Sequence, residues 1–451
     1  MPDYIILILI VLGALLVFVV GGCGGTPEPT GALEVSTATT GDTLDPDGYT
    51  VTMAEIDTAS GKAGVRDTQA VRPSGTVTFE ELPEADYEIA LSGVQVNCLP
   101  KDSSSQRVSV PAEDTTEASF TLTCAPALLD RIVFTSERKG EAPNKNPEIY
   151  TIRPDGSRLT RLTHNAEGWT TDRDWQPVVS PHGRRIAFLS RRDNNREIYT
   201  VNPNGENVTR LTHNDALGSG HAWDHSPAFA PEGSTMVYDS HRPRADGMGI
   251  NIHLYAISLD GGGDPTPLTS GRTAAFSPDG EMIVYQTNHL SVMNADGSEA
   301  RRLTRHAASD PVWSPDGREI VFISERNGNA DLYAVSPDGS ALTQLTDHDA
   351  ADSEPTYCSG GGPVVFISQR AGHAALYALD PNGSESPVRL TNREVFYTSP
   401  PVCSPDGERV AFVSGRDGNV DVYTVGTDGT GLARVTEHPA ADEYPDWSPA
   451  R

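Results

Sequence analysis

Basic residues are scarce in this chain: 34 Lys and Arg stand against 62 Asp and Glu, a formal charge of -28 at pH 7 over 451 residues. That imbalance repels a phosphate backbone, so nucleic acid is not an expected partner. Cysteine is scarce too, with Cys23, Cys98, Cys124, Cys358 and Cys403 only, and no C-x-x-C pair offers zinc or redox chemistry. No G-x-S-x-G segment supplies a serine nucleophile elbow, and only Ala450-Arg451 follow Pro449, so a serine peptidase domain is not expected. Neither a cofactor nor a metal is called for by any motif. One long apolar run exists, Tyr4 to Val20, which at about 17 residues is at the lower limit for spanning a bilayer.

What the chain has in abundance is repetition. From about Leu128 a unit recurs seven times, clearest at Pro311-Val312-Trp313-Ser314-Pro315-Asp316-Gly317, Ile320-Val321-Phe322-Ile323-Ser324, Asp331-Leu332-Tyr333, Ser336-Pro337-Asp338-Gly339 and Leu345-Thr346. The middle stretches begin at Ile132, Ile186, Met236, Met282, Ile320, Val364 and Val410, a period of roughly 37 to 54 residues that suits propeller blades rather than helical arrays. Short β-branched and aromatic runs between Asp-Gly or Asn-Gly turns make each unit a four-stranded meander, strands A to D. The first unit lacks its A segment, and the missing piece stands at Pro445-Asp446-Trp447-Ser448-Pro449. The last strand is therefore expected to complete the first blade and close the ring, leaving no exposed sheet edge there.

These segments resemble the TolB-type repeats of bacterial periplasmic propellers, over about 320 residues. The seven units predict an all-β, seven-bladed β-propeller over residues 127–451; with no catalytic motif found, the expected role is a non-catalytic scaffold of the cell envelope that binds a protein or a glycan. TolB-type proteins have six blades, so a role in the Tol system is not implied. Some seven-bladed propellers of similar repeat resemble metal-assisted polysaccharide lyases, a reading that needs several histidines converging on one cation.

Before the propeller, the Tyr4 to Val20 run ends in Val20-Gly21-Gly22-Cys23, which resembles a lipoprotein signal. The likeness implies a signal peptide over 1–22, lipidation of Cys23, a linker over 23–30 and a membrane-anchored protein facing the periplasm or the cell exterior. The start Met1-Pro2-Asp3 departs from such signals in having no Lys or Arg. Residues 31–126 alternate as short strands, the pattern of a small β-sandwich. Phe79-Glu80-Glu81-Leu82-Pro83-Glu84-Ala85-Asp86-Tyr87 resembles the corner of transthyretin-like, carboxypeptidase-regulatory-like modules. With Cys23 set aside, four cysteines remain, an even number that suits an oxidising compartment. Cys98 with Cys124 is expected to staple the sandwich, and Cys358 with Cys403, in the A strands of consecutive blades, is a second candidate pair.

Strand parity places the A–B and C–D connections at one end of the ring and the B–C and D–A connections at the other. The first end has only tight turns. Every long insertion lies at the second, including Thr163 to Pro177 and Thr212 to Pro227, which carry the candidate binding residues His164, Trp169, His213, His221, Trp223 and His225. Trp175 lies close to strand A and reads as core. Asp174, Asp224, Asp352 and Asp442 precede A strands, while Arg138, Arg192, Arg242, Arg326, Arg370 and Arg416 end B strands as Ser-x-Arg. Their repetition around the ring points to structural Asp–Arg pairing from blade to blade rather than to a substrate clamp. Asp193-Asn194-Asn195 and the Asn-Gly-Asn and Asp-Gly-Asn segments at 327–331 and 417–421 resemble the opening of a calcium loop but lack the later bidentate Glu.

Overall fold

The computed structural model describes residues 29–41, 48–56, 63–92, 98–100, 104–124, 127–138, 146–165, 173–193, 195–213, 222–244, 249–259, 264–381, 386–396 and 399–450, with four two-residue strand segments between Ile6 and Val19. Cys23, Trp169 and His221 lie outside these residues. Among the described residues no helix is long and apolar enough to cross a membrane. The chain divides into two compact units, Met1–Cys124 and Ala125–Arg451.

The first unit holds β1 (Gly31–Gly41), β2 (Tyr49–Ile56), β3 (Ala63–Val71), β4 (Thr76–Leu82), β5 (Ala85–Ser92), β6 (Cys98–Pro100), β7 (Ser105–Val110) and β8 (Thr115–Cys124). They form two four-stranded sheets, β6-β8-β1-β4 and β7-β5-β2-β3. Alternation along the strands turns Leu33, Val35, Val51, Met53, Phe79, Tyr87, Ile89 and Phe120 into one shared core. The Tyr87 hydroxyl, carried into that core, donates to the Pro83 carbonyl at 3.0 Å, which fixes the β4–β5 corner. Cys98 and Cys124 are direct backbone partners in the antiparallel β6–β8 pair.

In the second unit, seven four-stranded sheets follow in sequence, and the first is completed by Asp442–Trp447 pairing antiparallel with Ile132–Ser136. Ring closure thus uses residues more than 300 apart, with Ser448 Oγ accepting from the Arg131 amide at 2.8 Å. B and C strands are buried along their whole length in most blades, because each sheet is covered on both faces by its neighbours.

A bulge interrupts A–B pairing in six blades. There Gln176, Ser226, Thr273, Asp310, Glu354 and Tyr444 all have φ between 47° and 53°, a left-handed conformation that costs a non-glycine residue about 1 kcal/mol or more. Recurrence in six blades makes this a feature of the fold. It re-aims the inner strand and lets strands of different blades exchange hydrogen bonds, as when the Gln176 amide donates to Thr135 Oγ1 at 3.1 Å.

Cys358 and Cys403 form a disulfide, with Cα atoms 5.3 Å apart, that ties the end of strand A in blade 6 to the two-residue A strand of blade 7. The bridge lies where blade 7 has the least A-strand pairing of its own.

Candidate functional site

The Ser-x-Arg repeat shows how the long-loop end is built. In six blades the B strand supplies Phe or Tyr, the C strand supplies Tyr, and the two rings lie 5.8 to 6.1 Å apart. The arginine two residues after the B-strand Ser returns over these rings, for example 5.0 Å from Tyr150 for Arg138 and 4.3 Å from Tyr333 for Arg326. Partly desolvated cation–π contacts of this kind contribute about 1–2 kcal/mol each.

The carboxylate partner is a second, optional element. Arg138 reaches Asp442 at 2.7 Å, Arg192 reaches Asp174 at 2.7 Å, and Arg370 reaches both oxygens of Asp352 at 3.0 Å. Each pair lies within one blade, and this corrects the blade-to-blade pairing expected from the repeat. The reason is register: the A-strand Asp stands directly opposite the B-strand Ser, and Arg folds back over that Ser. In blade 5 the Asp position is Ala308. Arg326 there keeps its rings, and its Nη2 is buried with no hydrogen-bond partner. Arg416 in blade 7 likewise has an unpartnered Nη2. In blade 3, Asp224 is fully buried with neither oxygen hydrogen-bonded, while Arg242 lies over Tyr255 at 4.6 Å.

The loops resembling calcium sites do other work. Asn329 Nδ2 donates to the carbonyls of His348 and Ala350, and Asn419 Nδ2 to those of His438 and Ala440, so both amides tie a B–C loop to the next D–A loop.

Of the candidate binding residues, Trp223 and His225 are brought together, and His164 and His213 are not. The latter two are exposed and follow strand D of blades 1 and 2 at equivalent positions, one blade apart. Trp223 opens strand A of blade 3 opposite His241, and their rings stack with centroids 5.5 Å apart. The His225 ring centroid lies 5.3 Å from that of His241. His241 Nε2 donates to Asp239 Oδ2 at 2.8 Å. Burial pushes the Asp239 carboxyl up, but hydrogen bonds from His241, Ser226 and the Thr273 amide outweigh it and hold the group below the usual carboxylate range.

Arg196, from the B–C loop of blade 2, completes the cluster. Its Nη1 donates to His225 Nε2, and its guanidinium lies 5.2 Å from the Trp175 ring. Because the guanidinium can only donate, Nε2 accepts and the imidazole proton sits on Nδ1. Burial, then the Arg196 charge, lowers His225 to about 4, so the ring is neutral at physiological pH. Trp175 also packs on the apolar core between blades 2 and 3, in keeping with its reading as core. Among the described residues no group of three or more His, Cys, Asp and Glu is arranged to hold a metal ion.

Sequence reasoning did not single out Asp239, His241 or Arg196. Asp239 had a visible signal: the residue just before the B-strand Ser, or before Thr287 in blade 4, is Thr135, Leu189, Gln286, Ile323, Ile367 or Val413 in the other blades, and only blade 3 places a carboxylate there. Arg196 had none, since B–C loops are polar throughout.

Comparison with known proteins agrees with this architecture. Residues 306–403 match the TolB beta propeller domain, and residues 144–294 match the dipeptidyl peptidase IV N-terminal region. The Tol-Pal system protein TolB of Anaeromyxobacter sp. is 28% identical over 163 residues, 36% of this chain and 27% of that protein. The chain therefore spans about a quarter of that relative's length. The solved structure of a puromycin hydrolase superposes with a TM-score of 0.57 at 20% identity, covering 69% of this chain and 53% of that one. Oligogalacturonate lyase in complex with manganese gives 0.51 at 17% identity, covering 66% and 86%. At such identities the two structures share the fold.

Proposed function

With a TolB-like β-propeller as the scaffold, we propose that this chain is a non-catalytic binding protein of the bacterial cell envelope, tethered through a lipidated Cys23 and capturing a protein or glycan at the long-loop end of blades 2 and 3. The observation that carries this reading is the cluster of Trp223, His225, His241, Asp239 and Arg196. There this end departs from the repeat by adding stacked aromatic and polar groups. Aromatic and guanidinium groups on a rigid rim are the usual anchors of recognition. The His241–Asp239 hydrogen bond fixes the ring on which Trp223 stacks, so the platform is ordered before any ligand arrives, which lowers the entropic cost of binding.

The test is retention of envelope proteins and cell-wall glycans on the anchored protein. Trp223→Ala is expected to weaken retention by at least about 1 kcal/mol with little change in melting temperature. Equal losses of stability and retention would reduce Trp223 to a packing residue. Cys23→Ser is expected to release the protein from membranes, and a mature wild type that keeps an unmodified Met1 would refute the anchor.

A metal-assisted lyase is the second reading, favoured by two histidines 5.3 Å apart on a propeller whose fold is shared with oligogalacturonate lyase. Manganese-dependent cleavage of an acidic polysaccharide, abolished by His225→Ala, would establish it in place of the scaffold.

A further inference from the structure

At the rim of blade 2, Arg173, Arg191 and Arg196 have no carboxylate partner among the described residues. Arg173 and Arg191 are exposed neighbours where strands A and B of blade 2 meet, the Arg191 amide donating to the Arg173 carbonyl at 3.0 Å. Arg191 also acts electrostatically on Arg196, whose Nε is buried without a hydrogen-bond partner. Like charges placed opposite one another across a strand pair are destabilising. In a chain of charge -28, acidic groups to neutralise them are plentiful, and elsewhere in the same blade Arg192 and Arg210 are both paired with carboxylates. Among the described residues, the three guanidiniums thus have no counter-charge at the rim where Trp223 and His241 stack.

Blade 4 adds a second departure on the same end. Gly271 stands where blades 1, 2, 3 and 6 have Asp, and its B–C connection is only Thr287–His289. A cleft of about 330 Å³ opens there, lined by Ile252, Ser270, Gly271, Arg272, Gln286 and Asn288. Ile252 pairs across the strand with His241, which joins this cleft to the aromatic platform. Side-chain amides, each both donor and acceptor, match the main chain of a peptide.

We infer that the ligand at this end is a peptide segment bearing one or a few carboxylates, its acidic groups seated on Arg173, Arg191 and Arg196. The inference rests on the binding-scaffold reading above and narrows its ligand class. A short acidic peptide is favoured over a polyanionic glycan by range: at physiological salt the screening length is about 8 Å, so a few carboxylates answer only to the local arginines. A long polyanion would extend over the acidic surface and be repelled.

The experiment uses the full chain in detergent on an array of octapeptides rich in Asp and Glu, their Asn and Gln counterparts, and oligouronates. Acidic octapeptides should be retained at least about tenfold better than their amide counterparts, with retention falling as salt rises. Arg191→Gln, at an exposed position, and Arg196→Gln should each lose about tenfold or more, and Arg196→Lys should lose less. Melting temperatures separate these losses from misfolding, and Arg191→Gln provides the test if Arg196→Gln fails to fold. Equal retention of acidic and amide peptides, wild-type retention by both Arg→Gln variants, or preference for oligouronates would each overturn the inference. If neutral peptides or glycans bind in a manner sensitive to Trp223→Ala but not to the arginine variants, the inference fails and the scaffold reading stands. If neither these arrays nor the envelope extracts yield any ligand at this end, both fail.

Discussion

Blade 5 offers a direct test of pairing within a blade, because it contains half of the pair already. Arg326 lies over Phe322 and Tyr333 at 5.5 and 4.3 Å, and its Nη2 is buried and unpartnered. Ala308, 6% exposed, occupies the position of Asp352 in blade 6, and Ser324 Oγ donates to the Ala307 carbonyl instead. Ala308→Asp should therefore place a carboxylate beside a waiting guanidinium. Burying an unpaired carboxylate costs about 3–5 kcal/mol, whereas a buried pair of good geometry roughly breaks even. Ala308→Asp is expected to change stability by no more than about 1 kcal/mol with Arg326 present, and to cost about 3 kcal/mol or more in an Arg326→Ala background. Arg326→Ala alone should cost only about 1–2 kcal/mol, the loss of its ring contacts. Tryptophan fluorescence during denaturation suits the measurement, since all five tryptophans lie between residues 169 and 447 and none in the first unit. The reasoning is refuted if Ala308→Asp is equally damaging with and without Arg326.

Two further outcomes are expected. Non-reducing peptide mapping should recover Cys358 linked to Cys403, and Cys358→Ala with Cys403→Ala should cost about 4 kcal/mol, the value for a closed loop of about 45 residues; the same map should link Cys98 to Cys124, and free thiols there would count against an exported protein. His225 titrates near 4 in the fold against 6.5 when unfolded, so the folded state binds fewer protons between those values. Its contribution is complete above about pH 6.5 and is lost as pH falls toward 4; after discounting for its partial exposure it amounts to about 1–2 kcal/mol, and His225→Gln should flatten that part of the stability profile.

Much of the fold was legible because a repeat announces both its period and its missing piece: Pro445 to Pro449 had no other place to go than beside Ile132. The Asp and Arg residues stand out in the sequence as a repeating set, but their partners do not. Whether Arg192 meets the Asp of its own sheet or of the next depends on how the chain turns after Ser190, which spacing alone does not convey. The histidines misled in a similar way. His164 and His213 share a loop class with His225, yet they follow outer strands, while His225 sits on an inner strand one residue after a buried Asp. Asp239 was readable as the one carboxylate in an otherwise uncharged column. Arg196 acquires its meaning only from Trp175 and His225 beside it.

Binding at the long-loop end distinguishes this propeller's proposed function from its scaffold. Hydrogen exchange of the full chain, free and saturated with the best-retained peptide or glycan, measures this directly. Protection is expected over 191–197 and 222–229 at the long-loop end, with the opposite turns at 314–317 and 336–339 unchanged. Protection confined to those tight turns, or to the outer D strands, would contradict it.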